Sequence, residues 1–159
     1  MKYPILKPVP IKTKGLGFWK KTCTWLVSSR KWEVVEPYYF YIPWLNQTVL
    51  IPKGFIFDGA SIPKLFWPLL SPTGLLFIPG LFHDYGYKYN YWLDEYHTKI
   101  FIGKGQEFFD TQFGKLGVYI NDMPVLDKIA FVALRGFGKF AWNTHRKEQK
   151  RRMKNGEEN

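Results

Sequence analysis

The sequence predicts an α+β domain, with a small antiparallel sheet over about residues 32–57 followed by a three-helix half. Three observations carry that expectation. Residues 32–57 are rich in aromatic and β-branched side chains broken by turn formers; from Pro79 onward the apolar residues recur at helical spacing; and an apolar share of 46%, with 19% aromatic, is enough to close a core and excludes disorder for most of the chain. A length of 159 residues fits one domain.

In chain order, Pro4, Pro8, Pro10 and Gly15 predict an extended arm without regular structure over residues 1–15. Residues 32–42, W-E-V-V-E-P-Y-Y-F-Y-I, read as a strand that Pro37 confines to an edge or splits at a bulge. Residues 47–51 and 54–57 form a second, broken strand. Residues 65–82 carry no charge and reach the lower length limit of a membrane span, but Pro68, Pro72, Gly74, Pro79 and Gly80 would leave backbone groups unsatisfied in lipid. The stretch therefore reads as a buried aromatic loop around a short helix, its rival being an exposed apolar lip at a membrane interface.

Pro79 suits the first turn of a helix whose stripe is Leu81, Phe82, Tyr85 and Tyr89. A second helix is expected over about 105–116, with Phe108, Phe109, Gln112 and Phe113 inward and Gly117 near its end. A third follows Asn121-Asp122-Met123-Pro124, capped by Asn121 or Asp122, with Leu126, Ile129, Ala130, Ala133, Phe137, Phe140 and Ala141 as its inner stripe. The run from Arg146 extends it into solvent, having good helix formers but no apolar face.

The net charge of +10 is unevenly spread. Residues 1–31 hold eight Lys/Arg and no acid, residues 32–145 nine bases and ten acids, and residues 146–159 six bases and three acids. The chain thus divides into a basic arm, a nearly neutral compact domain (32–145) and a basic tail. A nucleic-acid binder is the less favoured class, since it requires Lys12, Lys14, Lys20, Lys21 and the tail to meet on one face. Contact with a membrane surface competes with simple solubilisation by the two ends. The single Cys23 excludes an internal disulfide and a multi-cysteine zinc site, and fits a reducing compartment. Lys2, Pro4, Lys7, Pro8 and Pro10 interrupt any export signal.

Two segments set ionisable groups among apolar residues: G-F-I-F-D-G-A-S-I-P at 54–63 and F-H-D-Y-G-Y at 82–87. Asp58 and Ser61 can serve as turn former and helix cap, and Ser61 lacks the G-x-S-x-G elbow of a nucleophile. His83 and Asp84 are helix neighbours pointing about 100° apart, whereas Tyr87 shares the face of His83 one turn on. A neutral imidazole can take a proton from water, and a nearby carboxylate can orient it or hold a cation. Phosphate-binding glycine loops and H-E-x-x-H are absent.

Gly54, Phe55, Asp58, Ala60, Ser61, Pro63, His83, Asp84 and Tyr87 spell G-F-x-x-D-x-A-S-x-P followed by H-D-x-x-Y. This pattern resembles a small uncharacterised protein family common in bacteriophages and prophages. The resemblance covers roughly residues 51–142. It implies a phage-encoded α+β domain of the host cytoplasm, its envelope or the virion, with a virion or host protein as partner, and it carries no activity. Its members usually have A-D-x-x-F on the next helix; here Gln106 stands where the Asp is expected, leaving Glu107 or Asp110 to substitute. H-D-x-x-Y is also similar to the active-site helix of secreted and parvoviral phospholipases, which use His as base, Asp as calcium ligand and a partner acid from a neighbouring helix. That similarity implies a metal-assisted ester or phospholipid hydrolase. His83 would activate water, Asp84 and Asp58 would hold calcium or magnesium, and Tyr87 with Glu107 or Asp110 would orient the site. The glycine-rich calcium loop and the cysteines of those enzymes are missing. The opposing class is a noncatalytic phage protein in which Asp58, His83 and Asp84 form a structural polar network.

Overall fold

The computed structural model describes residues 2–10, 15, 17–21, 31–57 and 76–155. Among the described residues the strands are β1 (Leu6–Val9), β2 (Lys31–Val34), β3 (Tyr38–Ile42), β4 (Gln47–Ile51), β5 (Ile56–Phe57), β6 (Trp92–Asp94) and β7 (Lys99–Ile100). The longer helices among the described residues are α1 (Phe77–Tyr89), α2 (Gly105–Asn121) and α3 (Pro124–Lys154). The α+β class holds, but the strands form two sheets, β1-β2-β5 and β3-β4-β6-β7, both antiparallel.

Pro37 is where the two sheets part. It has no N–H to give a ladder, so the aromatic run does not continue as one strand: β2 ends at Val34 and β3 begins at Tyr38 in the other sheet. In β3 the pleat puts Tyr38, Phe40 and Ile42 inside and leaves Tyr39 and Tyr41 exposed. Two differences from expectation stand out. The N-terminal arm contains β1, whose Pro8 is tolerated at a sheet edge opposite Trp32. The polar stretch after α1 is a hairpin, β6–β7, turned by the Asp94 carboxylate, which accepts from the N–H groups of Tyr96 (2.9 Å) and Thr98 (2.7 Å).

Helix α1 crosses the core. Phe82 meets Tyr38 and Phe40 of β3, and Trp92 of β6 lies among Phe82, Phe108 and Phe109, its indole N–H donating to the Phe82 carbonyl at 3.0 Å. Asn90 in the left-handed region ends α1. Helix α2 runs five residues beyond the expected end, because Gly117 does not cap it: a Cβ at Gly117 would lie 2.6 Å from the Asp127 carboxylate, so the glycine permits close approach of α3. Asp122, left-handed, ends α2 instead of capping α3, whose N-cap is Met123.

The expected inner stripe of α3 is contradicted at two of its described positions. Ile129 and Phe140 are exposed, while Asp127 and Gly138 are buried and Ala141 is half-buried. The side chains of Leu126, Ala130, Ala133 and Phe137 lie outside the described set. As expected, α3 carries the basic run on to Lys154. No helix among the described residues is long and apolar enough to cross a membrane.

Candidate active site

The site is assembled where α1, α2 and α3 meet. Helical spacing brings His83 and Tyr87 to one face of α1, their ring centroids 3.9 Å apart. Across from them, Asp110 of α2 has no solvent exposure. Its Oδ1 lies 3.0 Å from Nε2 of His83 and accepts the Tyr87 hydroxyl at 2.5 Å. Its Oδ2 accepts from Gln106 Nε2 at 3.3 Å and lies 3.8 Å from the Arg135 guanidinium of α3. A buried carboxylate is costly unless its oxygens are occupied, and here donors from three helices occupy both.

The other ring nitrogen of His83, Nδ1, faces Asp84 Oδ1 at 3.7 Å, beyond direct hydrogen-bonding distance. Adjacent helix positions cannot close that gap, as their divergence along α1 predicts. The His83 ring is only 5% exposed. Burial by itself would lower its pKa; the hydrogen bond to Asp110 and the negative charges of Asp84 and Asp110 outweigh burial and raise it from the ordinary histidine value. Burial, then the bond to Asp110, pushes the Tyr87 phenol far up, so Tyr87 acts as a neutral donor.

A cleft of about 450 Å3 opens beside this cluster. Its lining includes His83, Asp84 and Tyr87 from α1, Phe57 from β5, and Leu134 and Phe140 from α3. Such a volume is that of a small-ligand site. Of the acids named as alternatives on α2, Asp110 meets the histidine, whereas Glu107 is 82% exposed and only approaches Arg135, at 3.7 Å. Asp58 and Ser61 lie outside the described residues. Among the described residues no three His, Cys, Asp or Glu side chains converge to hold a metal ion. Arg135 and Gly138 escaped sequence reasoning, since a half-exposed arginine and a glycine carry no apolar signal that marks them as site residues. Gln106 had a readable signal, standing four residues before Asp110 on one helical face.

A family model described as a protein of unknown function (DUF1353) matches residues 32–118. The match takes in His83, Asp84, Tyr87 and Asp110. No curated protein and no solved structure matches the chain.

Proposed function

Because the chain belongs to the DUF1353 family, whose description assigns no reaction, we propose its function from the site geometry: a metal-assisted ester hydrolase with His83 as general base. The observation that supports this reading is the bond between His83 Nε2 and Asp110. An ionised Asp110 can only accept, so in the neutral imidazole the proton sits on Nε2 and the lone pair on Nδ1, on the side of Asp84. Nδ1 takes a proton from water as the water oxygen attacks the ester carbonyl, and returns it to the departing alkoxide. Asp110 orients the ring and stabilises the imidazolium, and Tyr87 holds Asp110. Asp84, with Asp58 as the further acid that the sequence similarity implies, would hold the hard cation, calcium or magnesium, which would polarise the carbonyl. The similarity of H-D-x-x-Y to the phospholipase helix supports the same assignment, now with a partner acid from the neighbouring helix.

The sequence pattern further supports a phage or prophage origin, with action in the host cytoplasm or at its envelope. A second reading is favoured by one observation, the near-complete burial of both His83 and Asp110. In that reading the pair is a structural network of a noncatalytic virion or host-binding protein.

The test is calorimetric titration with calcium, magnesium and zinc, comparing wild type with Asp84→Asn, followed by hydrolysis of a chromogenic short-chain ester. The hydrolase reading expects saturable binding that Asp84→Asn loses, and a rate that falls about 100-fold or more in His83→Ala at an unchanged melting temperature. No hydrolysis with any of the three metals, or unfolding of His83→Ala in step with its loss of activity, favours the structural reading.

A further inference from the structure

We propose that Lys31 and Lys88 form a subsite for the phosphate group of a phosphate ester at the cleft, the ester's alkyl portion lying along Phe57, Leu134 and Phe140. Both lysines line the cleft beside His83, one from the start of β2 and one from the last turn of α1. The Lys88 ammonium is held 5.3 Å from the ring centres of both Phe55 and Tyr89, so its position is fixed between two aromatic faces. Burial is the largest influence lowering its pKa, the positive fields of Arg152 and Lys31 lower it further, and the charge of Glu148 offsets them only in part.

Gathering like charges around a half-buried ammonium opposes folding, and among the described residues neither Lys31 nor Lys88 forms an ion pair. One ordinary reason for Lys88 is the negative end of the α1 dipole. That role is already filled by Arg146, whose guanidinium donates to the carbonyls of Tyr87 and Lys88. The dipole also gives no reason for Lys31, which comes from another element. An anion answers both. A phosphate offers several charged oxygens to separate point charges, which suits two ammonium groups better than a planar carboxylate does. Phe140 stands 83% exposed at the same cleft, an apolar surface without a partner among the described residues.

That the molecule so held is the substrate, through a carboxylic ester it also carries, rests on the hydrolase reading; that its phosphate binds does not. The experiment is calorimetric titration of the full chain with dibutyl phosphate, in parallel with retention on vesicles of phosphatidylglycerol or phosphatidylcholine. Wild type is expected to bind dibutyl phosphate saturably, and the Lys31→Gln/Lys88→Gln double variant about tenfold or more weaker. Lys31→Gln alone, at an exposed position, should weaken binding with folding intact. Retention on phosphatidylglycerol but not phosphatidylcholine assigns the ester to a lipid headgroup, and binding of dibutyl phosphate alone assigns it to a soluble ester; both support the subsite. Absence of saturable binding by wild type, or an affinity unchanged in the double variant, overturns it. Saturable, lysine-dependent binding by a wild type that hydrolyses no ester leaves the subsite standing without the hydrolase, and ester hydrolysis without such binding leaves the hydrolase standing without the subsite, so the two failures are told apart.

Discussion

Gly138 of α3 faces the Tyr87 hydroxyl so closely that a Cβ at this position would lie 2.5 Å from the phenolic oxygen. The hydroxyl is the one that donates to Asp110. Gly138→Ala is therefore expected to push the phenol off the carboxylate, costing about 1–3 kcal/mol in urea unfolding and lowering ester turnover. Tyr87→Phe removes the same bond without the collision. Its turnover should fall likewise, and its stability by about 1 kcal/mol or somewhat more. A Gly138→Ala protein as stable as wild type would contradict this closeness.

Gly86 stands in the same relation to Phe109, whose ring occupies the space of any side chain at that position. Phe109 is bulky and fully buried against Trp92, so it cannot give way cheaply. Gly86→Ala is expected to destabilise by about 3 kcal/mol or to fail to fold, read as a lowered melting temperature or loss of soluble protein. Adding Phe109→Leu should restore part of the loss, a coupling that a double-mutant cycle measures.

The raised pKa of His83 makes stability depend on pH. Its charged form is favoured by folding, so this contribution is fully present below the ordinary histidine value of 6.5 and is lost as pH climbs through the elevated folded value. Urea midpoints measured with a chelator present should fall above pH 6.5. Asp110→Asn, which keeps the shape and removes the charge, should flatten that fall. A general base works in its neutral form, so turnover should rise over the interval in which stability declines.

Arg146 joins α3 to the end of α1 through the Tyr87 and Lys88 carbonyls and lies 4.5 Å over the Trp142 ring. Arg146→Met keeps much of the stem and loses the charge. It should cost about 1–2 kcal/mol by thermal or urea unfolding, with Arg146→Lys intermediate because an ammonium keeps the charge but loses the planar guanidinium lying over the Trp142 ring. Equal stability of all three proteins would remove this tie from the account of the α1–α3 junction.

Much of the architecture was legible because periodicity and proline act locally. Residues 47–51, the split at Pro37 and the start of α3 at Pro124 follow directly from the sequence. The β6–β7 hairpin did not, since strands of three and two residues are too short to show alternation and owe their existence to pairing with β4. The burial of Asp127 and Gly138 in α3 was not legible, because both look like surface residues until their partners, Asn121 and Tyr87, are known. His83 and Tyr87 declared themselves by one-turn spacing. Choosing Asp110 over Glu107 was also within reach of the helical wheel, because Glu107 lies opposite the inward face marked by Phe109 and Phe113.

The family match ends at residue 118, within α2, while the wall of the cleft that carries Leu134, Phe140 and Ala141 belongs to α3. His83, Tyr87 and Asp110 thus sit on one stretch of chain and much of the surface that would select a ligand on another. On the proposed function, replacing Leu134 or Phe140 should retune selectivity, provided Arg135 and Gly138 of the same helix, which face Asp110 and Tyr87, are left in place.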